Sequence, residues 1–381
     1  MTVYLDHNAT TPLDPRVLEA MLPFLREQCG NASSRHEAGT AARQAIDRAR
    51  AQVAAAVAVQ PAQVIFTSGG TEANNLFIRG AAAGMKPGCI TISPTEHPCV
   101  SGPAQDLQRQ GWTLRRLKAD RDGRVDATDA VAALAEKPSL WSVMLAHNET
   151  GVVQDVAALA KLARGAGAIV HSDAVQALGK MAVDFSALKV QALTLSAHKI
   201  NGPKGAGALV VDKRLDLRAV QTGGGQERGL RGGTENVPAI VGFGLACELA
   251  MAGLAERTAR LTGLRERLEC GLAALGALIF GQYAPRRLPN TTYFALRGIH
   301  GEALVIELDK AGYATGSGAA CSSASSAPSA SLLAMGVEPE LARGAVRVSL
   351  GAGNDAAQID DFLQALVAVT ARLRGLQAVA V

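Results

Sequence analysis

Residues 168–174 read AIVHSDA, and residues 192–199 read ALTLSAHK. Each is a short apolar, β-rich run that ends on a side chain with chemistry, Asp173 in the first and Lys199 in the second. The same texture recurs in VIFTS at 64–68, CITIS at 89–93, LWSVMLA at 140–146 and ALVVD at 208–212. Helix-length segments separate these runs. Buried runs alternating with helices predict an α/β fold around a parallel or mostly parallel sheet covered on both faces. Right-handed crossovers then put a ligand site at the C-terminal strand ends.

The flanking sequence predicts a second unit. VYLDHNATTPLDP near the N-terminus reads as a short strand and turn, and residues 15–58 are mostly helical, with Asp14 as N-cap before Pro15. A long helical stretch runs from about residue 236 to 275. Beyond it, TTYFAL (291–296), the helical GEALVIELDKAG and AVRVSL (345–350) indicate a smaller α+β domain. The expected division is a large domain over 13–255 and a small one built from 1–12 and 256–381. Within the latter, ATGSGAACSSASSAPSAS at 314–331 has the composition of a mobile loop.

Composition bounds the function. The chain has 381 residues, of which 48% are apolar, enough for a sizeable core. A net charge of +4 without a basic block argues against nucleic acid, and suits an anionic cofactor or an acidic partner. No apolar stretch is long enough to span a membrane, and MTVYLDHNATT is no signal peptide, so a cytoplasmic location is expected. Six cysteines occur, at 29, 89, 99, 247, 270 and 321, without C-x-x-C pairs or zinc spacing. No metal is expected, and a reducing compartment keeps them as free thiols.

Four strand-end motifs carry the candidate chemistry. In TSGGTEANN (67–75), Gly69 and Gly70 let the backbone approach an anion at a helix start, and Thr71 adds a hydroxyl. The motif is neither the dinucleotide fingerprint nor a Walker loop. Asp173, in HSDAVQALGK, can balance the charge of a protonated pyridine nitrogen, and Gln176 can meet a ring oxygen. His97, in TEHPCV, can stack on a flat ring and exchange protons near it. Lys199 follows in SAHKINGPKG. Taken singly, these are equally a tight turn, an N-cap, a structural histidine and a surface lysine. Their order along one sheet edge is what unites them.

At this point the chain resembles the cysteine desulfurases, within the class-V aminotransferases of the fold-type I pyridoxal-phosphate enzymes. The resemblance runs through LDHNATTPLDP, GNASSRHEAG, FTSGGTEANN, TEHP, HNETG, HSDAVQ, SAHKINGPKG, GGGQERGLRGGTENVP, GSGAACSS and VRVSLG, nearly the whole chain. It implies a large domain with a seven-stranded, mostly parallel sheet and the cofactor pyridoxal 5'-phosphate. Lys199 is then similar to the lysine that carries the cofactor as a Schiff base. Gly70, Thr71, Ser196 and His198 resemble its phosphate ligands, Asp173 and Gln176 its ring partners, and His97 the stacking imidazole. Asn148 resembles a contact to cofactor and substrate, and Arg347 the arginine that grips the substrate carboxylate. Thr234 resembles a phosphate contact given to the other subunit's cofactor, which implies a homodimer with shared active sites. His7, Ala32, His147 and Gly232 depart from the common pattern, which puts fine substrate and subunit contacts in doubt, not the reaction.

The implied reaction turns L-cysteine into L-alanine and leaves the sulfur as a persulfide on Cys321. Cys321 alone among the cysteines lies in a Gly/Ser/Ala loop, and a mobile thiol can enter the site and leave with its cargo. Lys199, Cys321 and His97 form the expected catalytic set, with His97 helping to deprotonate a thiol. The resemblance also implies a protein acceptor for the sulfur, such as an iron–sulfur scaffold. A selenocysteine lyase, another enzyme of this fold or a catalytically silent scaffold are the alternatives.

Overall fold

The computed structural model describes residues 2–317 and 327–379. Cys321 lies outside the described residues. The chain opens with β1 (Val3–Tyr4), α1 (Pro15–Arg26) and α2 (Glu37–Ala56). The large sheet is built from β2 (Val64–Thr67), β3 (Cys89–Ile92), β4 (Thr113–Arg116), β5 (Pro138–Ser142), β6 (Ile169–Asp173), β7 (Ala192–Ser196) and β8 (Gly207–Val211). Between and after them come α3 (Gly70–Ala82), α4 (Pro98–Arg109), α5 (Ala127–Ala133), α6 (Val156–Gly165), α7 (Phe185–Leu188), α8 (Val237–Ala252) and α9 (Leu254–Ala274). The strand order is β2-β8-β7-β6-β5-β3-β4. Only β8 runs against its neighbours, pairing antiparallel with both β2 and β7. Apolar side chains pack on both faces, in one cluster with α2 and α8 and another with α3 and α4. The C-terminal ends of β2, β3, β6 and β7 therefore open on one edge.

The remaining elements are β9 (Leu278–Ile279), β10 (Thr291–Ala295), α10 (Gly301–Lys310), β11 (Tyr313–Ala314), β12 (Gly316–Ser317), α11 (Ala330–Ala334), α12 (Pro339–Arg343), β13 (Ala345–Ser349) and α13 (Ala356–Val379). A four-stranded antiparallel sheet runs β12-β13-β10-β9, and β1 pairs in parallel with β11. Leu5 joins Leu264, Phe294, Val346 and Phe362 in a separate core. These two cores support our proposed division near residue 255.

Two elements differ from the sequence expectation. β4 carries the sequence TLRR and sits at the sheet edge, half exposed, so no apolar run announces it. The long helix expected over 236–275 is two helices that meet at a 72° bend. Gly253 caps α8 and precedes α9, and the apolar α8 packs on the large core while α9 supplies leucines to the small one. Among the described residues, no single helix is long and apolar enough to cross a membrane.

Candidate active site

A cavity of about 300 Å³ lies at this sheet edge. Its walls include Gly70, Thr71, His97, Asn148, Asp173, Gln176, Ser196, His198, Lys199 and Arg347. Ten residues expected from sequence are thus brought together. Thr234 is not among them: it is exposed on the loop between β8 and α8.

The anion end of the cavity follows from one sharp turn. β2 stops at Thr67, and α3 begins at Gly70. Gly69 sits at φ 156°, ψ −178°, a conformation that essentially only glycine adopts. The free amides and dipole of α3 then face the cavity. Gly207 makes the turn possible from the other side, because a Cβ there would lie 2.6 Å from the backbone of Gly69. Ser196 sits close by, its hydroxyl buried without a partner among the described residues.

Asp173 ends β6 and is 4% exposed. Its carboxylate accepts from the Val175 amide at 2.9 Å and from Asn74 Nδ2 at 2.7 Å. Burial lifts its pKa above the usual range, and these two donors only oppose the rise. A cation in the cavity would supply the missing charge.

His97 is the N-cap of α4, and its Nδ1 accepts from the Cys99 amide at 3.2 Å. The neutral ring therefore carries its proton on Nε2. Burial holds its pKa below the ordinary value; Asp173 raises it in part, and Lys199 lowers it further. Cys99 also lines the cavity, with Sγ 2.8 Å from His97 Nδ1 and 2.9 Å from Asn74 Nδ2. Burial and Asp173 push that thiol's pKa up, which keeps it protonated and unreactive.

Lys199 Nζ donates to the main-chain oxygens of Asn8 at 2.6 Å and Ala9 at 2.5 Å. Gln176 Nε2 donates to the same Asn8 oxygen at 2.9 Å. His198 bonds Thr10 Oγ1 at 3.2 Å, and burial with Lys199 and Lys204 lowers its pKa to about 4. On the small-domain side, Arg347 in β13 is 4% exposed. Its guanidinium donates to Asp6 Oδ1 at 2.7 Å and Asn148 O at 3.0 Å, while Nε is buried without a partner among the described residues.

Asn8, Asp6, Asn74 and Glu96 carry functional contacts that the sequence reading did not single out. Glu96 Oε1 accepts from Ser93 Oγ at 2.8 Å and the Met144 amide at 2.7 Å, but Oε2 is buried without a partner among the described residues. Only its place one residue before His97 hinted at it.

Three departures from the common pattern have local causes. His7 packs on Gly351, where a Cβ would lie 2.1 Å from its ring. His147 Nε2 contacts Ser331 Oγ at 3.0 Å, joining β5's exit to α11. At Gly232 a side chain would meet the backbone of Gly223 at 2.6 Å. Ala32 is buried in the large core.

The donor set fits pyridoxal phosphate: a helix start with an orphaned buried hydroxyl for a phosphate, an under-compensated carboxylate for a ring cation, and a lysine in the same cavity. The comparisons agree. The family described as Aminotransferase class-V matches residues 3–362. A "Cysteine desulfurase" of Sinorhizobium fredii is 43% identical over 98% of this chain and 97% of its own length. A solved "NifS-like protein" superposes with a TM-score of 0.92 at 35% identity, covering 98% of this chain and all of the other. A structure titled "SspA in complex with cysteine" gives 0.82 at 30% identity, covering 92% and 99%. The chain belongs to the class-V aminotransferases and, within them, to the cysteine desulfurases.

Proposed function

We infer that this chain takes sulfur from free L-cysteine, releases L-alanine and holds the sulfur as a persulfide on Cys321. The observation that carries the reading is the convergence of Lys199, Asp173, His97 and Arg347 on one cavity. Pyridoxal phosphate, when bound, supplies an electron sink for negative charge at the substrate α-carbon.

The protein's own groups do the rest. The start of α3, with Gly70, Thr71, Ser196 and His198, holds the phosphate. Asp173 keeps the ring nitrogen protonated, and Gln176 meets the ring oxygen. Arg347, backed by Asp6 and Asn148, orients the substrate carboxylate. The Lys199 amine moves the proton at the substrate α-carbon. His97 lines the cavity, and with Nδ1 engaged by Cys99 its Nε2 is the nitrogen that takes or returns a thiol proton. Cys321 then attacks the substrate sulfur as a thiolate: an S–S bond forms, the C–S bond breaks, and carbon keeps its electrons.

The described ends of the Cys321 segment support this role. Gly316 pairs with Arg347, and Ser317 with Val346. Ser329 Oγ donates to Glu149 Oε2 at 2.6 Å, beside Asn148. Four residues beyond Ser317, Cys321 has a reach of about 14 Å. The rest of the reading is a cytoplasmic homodimer, with Thr234 serving the partner's cofactor and a protein such as an iron–sulfur scaffold receiving the sulfur.

The test is an assay of alanine and sulfide from cysteine, with mass spectrometry of the Cys321 peptide. Lys199→Ala should lose the borohydride-reducible adduct with pyridoxal phosphate; its persistence would sink that assignment. Cys321→Ala should keep the adduct yet form no persulfide and no alanine by this route. Undiminished sulfide release would refute the nucleophile.

A further inference from the structure

Lys180 closes the HSDAVQALGK stretch and is 7% exposed, directly behind the cavity wall. Its Nζ donates to Gln176 Oε1 at 2.6 Å and Asn8 Oδ1 at 2.7 Å. Both acceptors belong to neutral amides. The main-chain oxygen of Asn8 can only accept, so the Gln176 amide turns Nε2 toward it and Oε1 toward Lys180. One Nε2 proton is used on Asn8; the other is what Gln176 offers to the cavity it lines.

Asn8 is fixed at the same time. Its Oδ1 also accepts from Asn290 at 3.2 Å, and its Nδ2 donates to Asn148 O at 3.0 Å and Thr291 Oγ1 at 2.9 Å. Its main-chain oxygen takes Lys199 Nζ. Lys180 is therefore one hydrogen bond from Gln176 and, through Asn8, two from Lys199. Burying an amine here is costly: desolvation, Lys199 and Arg347 all push its pKa well below the ordinary value. An apolar side chain of similar length would fill the space at less cost. It would present no donor to either amide.

We propose that Lys180 is a positioning residue, which clamps the Gln176 amide with an N–H facing the cavity and holds the Asn8 carbonyl against Lys199. The proposal rests on the reading that this cavity binds pyridoxal phosphate through Lys199. An N–H on the cofactor's ring oxygen favours that oxygen's anionic form. Losing it concentrates charge beside the Lys199 nitrogen and raises the pH at which that nitrogen gives up its proton. His97, Asp173, His198 and Arg347 share the cavity and stay unchanged in the comparison.

The cofactor-loaded protein is titrated by visible absorbance across neutral and alkaline pH, after borohydride reduction has established the Lys199 adduct. Lys180→Met should raise the midpoint by about one pH unit, the size expected for one hydrogen bond to a charged oxygen. Gln176→Ala should raise it similarly, and the double variant no further than either single one. An unmoved midpoint, or shifts that add, overturns the proposal while leaving the adduct and the cofactor reading intact. No adduct in the unaltered protein would overturn both. If Lys180→Met does not fold, Lys180→Gln, whose polar side chain is too short to reach both amides, is titrated in its place: a midpoint raised toward that of Gln176→Ala is expected, and an unmoved one overturns the proposal.

Discussion

Lys199 and Asp173 announce themselves because each ends an apolar run, where a parallel sheet leaves its side chains open to a ligand. Glu96 also follows such a run, but the sequence gives no measure of what surrounds it. Burial first, and Asp173 second, push its pKa up to about 8, against an ordinary value of 4.5. Between those values the folded protein holds a proton that the unfolded chain has lost. Its contribution is thus fully present below pH 4.5 and is lost as the pH rises through 8. Glu96→Gln removes the titration and keeps an acceptor for Ser93 and Met144. In the cofactor-free protein this variant should melt with the parent near pH 4 and about 2 °C or more above it near pH 8.5. Calorimetry at both values checks it, and a constant difference would place the cause elsewhere. Asn8 was hidden for a different reason. Its work is done through a backbone oxygen and through partners more than a hundred residues away, none of which a local motif displays.

At the scale of elements, most of the large sheet was legible, since strands buried on both faces read as continuous apolar runs. β4 was not, because an edge strand needs only one paired side and this one spends its surface on arginines. Nor was the bend at Gly253, which depends on α8 and α9 serving different cores. The turn into α3 was read from Gly69 and Gly70, and the structure adds Gly207 on β8, which the sequence reading did not single out. Gly69 supplies the backbone conformation, and Gly207 supplies the room. Gly69→Ala meets no atom within 4 Å, so its cost is conformational alone. It should leave the fold intact and weaken pyridoxal phosphate about tenfold, as the cost of an unfavoured φ moves into binding. Fluorescence titration of the cofactor-free protein measures this. Unchanged affinity would mean that the turn does not hold the phosphate.

For the whole molecule, the arrangement of Thr234 asks whether one chain makes a complete site. The loop that carries it is anchored in its own subunit. Glu227 takes both Arg50 nitrogens at 2.7 Å and the Phe66 amide at 2.8 Å, and Arg231 pairs with Glu72 in the first turn of α3 at 2.8 Å. Thr234 nevertheless stays exposed and outside the cavity. An exposed side chain on a loop anchored in its own subunit, outside that subunit's cavity, suits service to a neighbouring copy. Only the family resemblance pointed there, because no intrachain pattern encodes a contact made between subunits. The two arrangements separate in a mixing experiment. Lys199→Ala and Thr234→Glu should each be nearly inactive, the second by placing a carboxylate against the phosphate. If Thr234 acts across a dimer, a hybrid of the two variants unites an intact Lys199 with an intact Thr234 in one of its sites. Random reassortment of equal amounts should then restore about a quarter of the parent activity. If Thr234 acts within its own chain, every site in the mixture keeps one defect, and no activity should return at any ratio.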